Sequence, residues 1–145
     1  MIHLSRRVSF SMAHRLHNSA LSDEQNRLLY GRCNNPNGHG HRYTLQVTVG
    51  GEVDPQTGFV FDLTQLDRIL HQAIIEPFDH RNFDRDFEEY ADVISSGENL
   101  VRVFWQRLAP HFPPATPLVG LLLQETEKNS FEYFGGDTSR GQPVS

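Results

Sequence analysis

The stretch His39–Val49 reads HGHRYTLQVTV and decides the fold, because its side chains alternate between two kinds. Every second position carries a histidine or an apolar residue, and the positions between them carry glycine or a polar residue. A period of two is expected of a β-strand with one buried face. His39 and His41 fall on the apolar side, so the pattern predicts that both point toward the core.

A second strand is predicted at the start of the chain. Apart from Arg6, the even positions from Ile2 to Met12 are apolar and the odd positions are polar, and His14 continues the apolar side of that pattern. Residues 15–38, between the two strands, are rich in Asn, Gly, Ser and Pro and are too many for a tight hairpin. Loops of this length in a compact domain are commonly functional.

Two amphipathic helices are predicted in the middle of the chain. Asp62 is a suitable N-cap for the first helix, which Pro77 ends. Ser95 and Glu98 form a capping-box pattern at the start of the second helix, which Pro110 ends.

Two more strands are predicted near the C-terminus. Val119, Leu121 and Leu123 share one parity, which Glu125 continues, and the segment FEYF follows a polar EKNS turn. The order strand, strand, helix, helix, strand, strand predicts an α+β two-layer fold. A sheet this small leaves edge strands, which proteins often pair with a neighbour, so we expect an oligomer.

Length and composition exclude several classes of protein. With 145 residues, the chain is expected to form one domain over residues 1–145, with a flexible tail over residues 136–145. The net charge of -5 argues against nucleic-acid binding. No apolar run is long enough for a membrane helix, and residues 1–10 lack the apolar core of a signal peptide. We therefore expect a soluble cytoplasmic protein.

Three histidines predict a metal site. His39 and His41 are two positions apart on one face of a strand, about 6.6 Å along it, and can reach a single ion. His14 adds a third ligand of the same type at the end of the other inward-facing strand. Three imidazoles without a fourth protein ligand are typical of a catalytic zinc site, and iron, copper and nickel also accept such ligands.

Four further residues have two interpretations each. Cys33, the single cysteine, either packs as a small hydrophobe or reacts as a thiolate favoured by a nearby cation. Asp79 and His80 form either an exposed turn or a site of proton transfer, although adjacent side chains do not readily hydrogen-bond to each other. Glu125 is either exposed at a strand end or a buried acid that binds an amidine-like edge, such as that of a pterin or guanine.

Five motifs, in their order along the chain, resemble those of the 6-pyruvoyltetrahydropterin synthase family. They are FSMAHRL, CNNPNGHGH, PFDHRNFD, SSGENL and QETEKNSFEY, and the resemblance extends to about Gly135. It implies the tunnelling fold, in which four antiparallel strands carry two helices on one face of the sheet. It also implies a hexamer in which the sheets join into a barrel and the active sites lie between subunits.

The resemblance implies a lyase that converts 7,8-dihydroneopterin triphosphate to 6-pyruvoyltetrahydropterin and triphosphate in tetrahydrobiopterin biosynthesis, without nicotinamide. It implies one zinc ion per subunit. Magnesium is a further expected ion, because it commonly accompanies triphosphate groups. The positions that match the zinc ligands are His14, His39 and His41. Cys33 matches the general base, and Asp79 and His80 match a proton relay.

The resemblance also implies where the substrate ring binds. Glu125 matches the acid that anchors the pterin and also takes part in the proton relay. The helix start Ser96, Gly97 and Glu98 matches a stretch that touches the pterin. Gly97 departs from the family, in which Ser-Thr-Thr is common at residues 95–97.

Two other functions remain open at this point. The family also includes 6-carboxytetrahydropterin synthase of queuosine biosynthesis, which shares the ligands but has its cysteine nearer to the HGH motif. The NNPNG insertion between Cys33 and His39 favours the pyruvoyl branch. The third function is a non-catalytic, zinc-stabilised pterin-binding protein, because ligands alone do not produce turnover.

Overall fold

The computed structural model describes residues 1–136, so the tail expected over residues 136–145 lies outside the described residues apart from Gly136. In chain order, the strands and α-helices are β1 (Ile2–His14), α1 (Asp23–Tyr30), β2 (His39–Gly51), α2 (Leu63–Leu70), α3 (Glu76–Phe78), β3 (Arg81–Asn82), α4 (Phe83–Asp86), α5 (Gly97–Leu108), β4 (Leu118–Gln124) and β5 (Ser130–Tyr133).

Within residues 1–136, the strands form one open sheet of five, in the order β3-β1-β2-β4-β5. β1 and β2 pair antiparallel over their full length, from Ile2 opposite Gly51 to His14 opposite His39. β4 pairs antiparallel with both β2 and β5, whereas β3 runs parallel to β1. The α+β class is confirmed, but the sheet is mixed and five-stranded instead of four-stranded and antiparallel. β3 has only two residues and therefore shows no period in the sequence.

Helices α2, α3 and α5 contribute buried side chains to the core, which lies on the face of the sheet that carries the alternating apolar residues. Phe10 and Met12 of β1 are buried there, together with Tyr43 and Leu45 of β2. Phe104 of α5 meets Phe10 edge-on, with ring centroids 5.7 Å apart. The opposite face carries serine, threonine, arginine and glutamine side chains that hydrogen-bond across the strands. The period of two thus separates a helix-covered face from a polar one.

The N-termini of the two long helices lie close to their predicted positions. Asp62 caps α2, as predicted, by accepting a hydrogen bond from the N–H of Thr64. The cap of α5 is Ser96 and not Ser95, because the Ser96 hydroxyl accepts from the N–H of Asn99. Ser95 is fully buried, and its side chain bonds to other segments.

Neither helix ends at its predicted proline, because further helical turns follow α2 and α5. A π-helical turn, His71–Ile75, connects α2 to α3, and Pro77 lies inside α3. A 3₁₀ turn, Ala109–His111, follows α5 and contains Pro110. The helical backbone therefore continues through both prolines and does not end before them.

α1 lies in the segment that the sequence predicts as a loop. Ser22 and Gln25 form a capping box at its start. Leu28 and Leu29 are exposed, so the helix buries no apolar stripe that periodicity could reveal. None of the helices within residues 1–136 combines the length and the apolar character needed to span a bilayer.

A bulge in β4 changes the predicted parity of that strand. Gly120 lies opposite Thr48, and Leu118 lies opposite Val49, so Val119 is the extra residue. Leu118 is therefore buried in place of Val119, whereas the parity of Leu121 and of the residues after it is as predicted.

Candidate metal centre and active site

Three histidines meet at one end of the β1–β2 pair. His14 lies opposite His39 in the register of the strands, and His41 follows on the same face. The His14 ring centroid is 4.6 Å from that of His39 and 5.3 Å from that of His41. One ring nitrogen of each residue lies within 4.8 Å of the other two. The structure therefore brings together the three residues predicted as metal ligands.

His14 is oriented by a backbone group from the far half of the chain. Its Nδ1 donates a hydrogen bond to the carbonyl oxygen of Ser95 at 2.7 Å. Because a carbonyl oxygen only accepts, the ring hydrogen is on Nδ1 and the lone pair is on Nε2. His14 Nε2 is buried and has no hydrogen-bond partner within residues 1–136. A buried nitrogen of this kind is unfavourable without a partner, and a metal ion fits that position.

Ser95 is held in turn by Asp84. The Ser95 hydroxyl lies 3.1 Å from Asp84 Oδ2 and 3.2 Å from the carbonyl oxygen of Arg15. The backbone N–H of Arg15 donates to the same carboxylate oxygen at 2.6 Å. Sequence reasoning missed Asp84 and interpreted Ser95 as a helix cap, because no local pattern marks contacts between segments so far apart.

The surroundings of the other two imidazoles favour their neutral form. Burial lowers the pKa of His39, and the neighbouring imidazoles of His14 and His41 lower it further. Burial also lowers the pKa of His41, and this effect exceeds the opposing effect of Glu125. Neutral imidazole is the form that binds a metal ion, so the electrostatics agree with the geometry.

Glu125 lies beside the histidines, directly after β4. Its side chain is only 13% exposed, and its Oε2 is 3.8 Å from His14 Nε2. The Tyr43 hydroxyl donates a hydrogen bond to the same oxygen at 3.3 Å. Burial and the Glu125 carboxylate raise the pKa of Tyr43, which keeps the hydroxyl protonated as a donor. Of the two positions that the sequence allows for Glu125, the structure has the largely buried one.

Asp79 and His80 form a hydrogen-bonded pair beside β1. His80 has a left-handed φ of 61°, and its Nδ1 lies 3.0 Å from Asp79 Oδ1. Ser11 holds both residues, because its N–H donates to Asp79 Oδ1 at 2.8 Å and its carbonyl oxygen accepts from the His80 N–H at 2.6 Å. The Ser11 N–H, and then His80, lower the pKa of Asp79. The expectation that these adjacent side chains pair poorly is wrong, because the left-handed backbone at His80 accompanies a direct contact between the two side chains.

A cavity of about 550 Å³ connects this pair with the histidine group. Its lining includes His80 and His41, together with Met12, Gly40 and Asn82. The side chain of His80 is 78% exposed. The cavity therefore gives a small molecule access to a residue of each group.

Cys33 lies in a 3₁₀ turn, Gly31–Asn34, shortly before β2, and is half-buried. Its carbonyl oxygen accepts from the N–H of Leu16 at 2.9 Å. The buried Asn34 side chain donates to the carbonyl oxygen of Leu16 at 2.7 Å. These bonds tie the turn to the residues that follow His14. The Cys33 sulfur is not among the ligand atoms within 4.8 Å of one another, so it lies outside the histidine group.

The start of α5 adjoins the same region through Ser95. Ser96 caps the helix, and Gly97 and Glu98 are its first residues. The ring of Phe131, in β5, occupies the space that a Cβ atom on Gly97 would need. The threonine that is common in the family at this position does not fit against that ring.

Comparison with known proteins gives a consistent result. The family model described as 6-pyruvoyl tetrahydropterin synthase matches residues 3–136. The 6-pyruvoyl tetrahydrobiopterin synthase of Homo sapiens is 46% identical over 132 residues, which covers 91% of this chain and 90% of that protein. The protein of the same name from Poecilia reticulata is 45% identical over 133 residues, which covers 92% of this chain and 90% of that protein.

A solved structure agrees with the sequence matches. The structure of Caenorhabditis elegans 6-pyruvoyl tetrahydropterin synthase superposes with a TM-score of 0.87 at 40% identity. The match covers 92% of this chain and 95% of that chain. On these grounds, the chain belongs to the 6-pyruvoyl tetrahydropterin synthase family.

Proposed function

We propose that this protein is a zinc-dependent lyase that converts 7,8-dihydroneopterin triphosphate to 6-pyruvoyltetrahydropterin and triphosphate in tetrahydrobiopterin biosynthesis. The observation that carries the proposal is the buried, unpartnered Nε2 of His14, grouped with two further imidazoles beside Glu125 within residues 1–136. The reaction follows from relatives that are 45% and 46% identical and are named 6-pyruvoyl tetrahydrobiopterin synthase. Residues 1–145 would form a single catalytic domain.

The three imidazoles would hold one zinc ion per chain and leave a coordination position open. Zinc held there would supply Lewis acidity, which would make C–H groups of the substrate side chain easier to deprotonate. Asp84 and Ser95 keep the His14 ring turned so that Nδ1 donates to the Ser95 carbonyl and Nε2 is available as a ligand. Outer hydrogen bonds of this kind fix the tautomer of a ligating histidine.

The pterin ring would bind through Glu125. An ionised carboxylate accepts two parallel hydrogen bonds from an amidine-like edge, here the 2-amino group and the ring N–H. Tyr43 donates to one carboxylate oxygen and so fixes its orientation. The start of α5, with Ser96, Gly97 and Glu98, would contact the ring from the adjoining side.

Cys33 and His80 would move the protons. As a thiolate, Cys33 acts as the general base that removes protons from carbons of the substrate side chain. Asp79 holds Nδ1 of His80 at 3.0 Å, which leaves Nε2 of that ring to exchange a proton with the substrate. His80 would thereby return a proton and support the departure of triphosphate, and Glu125 would take part in the same relay.

The proposal includes a hexamer in the cytoplasm, with the sheets joined into a barrel and the active sites between subunits. Two features support association of the sheets. The edge strands β3 and β5 are short, with 2 and 4 residues, and unpaired strand edges readily accept a neighbour. His80 is exposed in the single chain, so a neighbouring subunit could approach it. Magnesium would accompany the triphosphate.

Incubation of the zinc-loaded protein with 7,8-dihydroneopterin triphosphate tests the proposal. Mass spectrometry should identify 6-pyruvoyltetrahydropterin, with one triphosphate released for each product molecule. A 6-carboxytetrahydropterin product would assign the chain to the queuosine branch. Pterin binding without triphosphate release would leave a zinc-stabilised binding protein.

The variant Cys33→Ala tests the base separately from the metal. Triphosphate release should fall by about 10²- to 10⁴-fold, which is the usual contribution of a general base. Zinc should stay near one ion per chain in elemental analysis, because the sulfur lies outside the histidine group. Unchanged turnover would remove Cys33 from the mechanism.

A further inference from the structure

A basic cavity lies between α1, the 3₁₀ turn that contains Cys33, and Arg15, the residue after His14. Its volume is about 570 Å³, and its lining includes Arg15, Arg27, Arg32, Asp23 and Asn34. The lining thus combines three guanidinium groups with a single carboxylate, in a chain whose net charge is -5. A concave region lined by one sign of charge concentrates ligands of the opposite sign, so this cavity favours anions.

The guanidinium groups of the cavity have hydrogen-bond donors to spare. Arg15 Nε donates to the carbonyl oxygen of Asn34 at 3.0 Å, which fixes the side chain and leaves its terminal Nη groups for a ligand. Within residues 1–136, the side chains of Arg27 and Arg32 have neither a hydrogen-bond nor an ion-pair partner. Guanidinium donors match the spacing of phosphate oxygens and bind them in pairs.

The position of the cavity links it to the proposed reaction. Arg32 and Asn34 flank Cys33 in the sequence, and Arg15 follows His14. In the proposed substrate, the triphosphate is attached to the last carbon of the side chain, next to the carbons that carry the hydroxyls. A substrate whose hydroxyls are near the three imidazoles therefore carries its triphosphate within a few bonds of the same region.

We propose that Arg15, Arg27 and Arg32 form the subsite that binds the triphosphate group of the substrate. The assignment rests on the proposed function and adds the residues that bind the triphosphate ester of that substrate. Each phosphate group adds negative charge, so the subsite discriminates against pterins that carry one phosphate or none. Its contribution is electrostatic, and binding should weaken as ionic strength rises.

Inorganic triphosphate is the probe that tests the subsite without turnover. Titration calorimetry on the full chain should show about tenfold weaker binding for Arg27→Ala and for Arg32→Ala, because each variant removes charge-assisted hydrogen bonds. Arg32→Lys, which keeps the charge but not the paired donors, should fall between the wild type and Arg32→Ala. Both positions are exposed, so thermal melting should show unchanged folding.

Arg68→Ala is the matched control. Arg68 is an exposed arginine in α2. The residue before it, Asp67, forms an ion pair with Arg6 of β1. Arg6 is eight residues before His14, which is roughly 26 Å along the strand. Arg68 is therefore far from the histidine group. Triphosphate binding by Arg68→Ala should equal that of the wild type. Equal losses in all three alanine variants, or no loss in Arg27→Ala and Arg32→Ala, would overturn the subsite.

Steady-state kinetics with 7,8-dihydroneopterin triphosphate separates this proposal from the proposed function. Arg27→Ala and Arg32→Ala should raise KM about tenfold with a smaller change in kcat, since the lost contacts serve binding. If the wild type turns over the substrate and both variants keep the wild-type KM, the subsite is rejected and the proposed reaction is retained. Arginine-dependent triphosphate binding without any conversion of substrate would reject the proposed reaction and retain an anion site.

Discussion

His14 is the residue on which the proposed metal centre depends most, because the fold constrains both of its ring nitrogens. Nδ1 is engaged by the Ser95 carbonyl, and Nε2 is buried with no hydrogen-bond partner within residues 1–136. A ligand that is already immobile loses little conformational entropy when it binds a metal ion. The affinity of the site should therefore depend on residues that never touch the ion.

The variant Ser95→Ala tests this dependence. Removal of the hydroxyl releases residue 95 from Asp84 and loosens the carbonyl that orients His14. Zinc affinity, measured by competition with a chelating dye at fixed pH, should fall about tenfold, as is usual for outer partners of a metal ligand. Ser9→Ala, on the polar face of the sheet, should leave the affinity unchanged. Equal affinities for wild type and Ser95→Ala would contradict the orienting role.

Asp79 should make folding stability depend on pH. Its pKa is lowered in the folded state, chiefly by the Ser11 N–H, so its contribution is present above the unfolded-state pKa of about 3.9 and is lost as pH falls through the folded-state pKa. In urea unfolding, the wild type should exceed Asp79→Asn in stability by more at pH 7 than near pH 2. Asp92→Asn, at an exposed position, is the control. A difference that does not change with pH would contradict this explanation.

At the scale of elements, the sequence predicts β1 and β2 well because each is long and buries one face. Each strand has thirteen residues, which is long enough for the alternation of apolar and polar side chains to be recognised in the sequence. This alternation places the three histidines on one face of the sheet. The same logic places Glu125, since the bulge at Val119 lies before Leu121 and leaves the later parity unchanged. The long strand pair and the grouping of the three histidines on one face are therefore predictable from the period alone.

Other elements carry no such information in the sequence. α1 exposes Leu28 and Leu29, and β3 is too short for a period. The contacts of Asp84 and Ser95 arise only when β1, α4 and the start of α5 are packed together. Their roles depend on tertiary structure, which local patterns do not encode.

At the start of α5, Gly97 packs directly against the ring of Phe131 in β5, so a larger residue at position 97 does not fit. Gly97→Ala should destabilise the protein by about 1–3 kcal/mol, because the new methyl group overlaps the ring of Phe131. This loss exceeds the gain of up to about 1 kcal/mol that alanine gives a helix over glycine. Chemical denaturation measures the difference. In a Phe131→Ala background, the same substitution should be neutral or stabilising, and a loss of equal size there would rule out the overlap.

At the scale of the whole molecule, the proposed hexamer makes two measurable predictions. Native mass spectrometry should show an assembly six times the mass of the 16.6 kDa chain. Phe134→Asp should shift the assembly to smaller species, because this exposed phenylalanine directly follows edge strand β5. Phe59→Asp is the control, because Phe59 is also an exposed phenylalanine but lies before α2. This variant should keep the wild-type assembly. A single-chain mass for the wild type at all concentrations would contradict the hexamer.

The contacts that complete the site also determine when it can form. His14 hydrogen-bonds to Ser95, which is 81 positions later in the sequence, and Tyr43 hydrogen-bonds to Glu125, which is 82 positions later. Contacts between such distant segments form late in folding, since each requires the closure of a long loop. During synthesis, the ribosome must release the chain beyond Glu125 before the native site exists. The proposed metal centre is therefore complete only after the two halves of the domain have packed against each other.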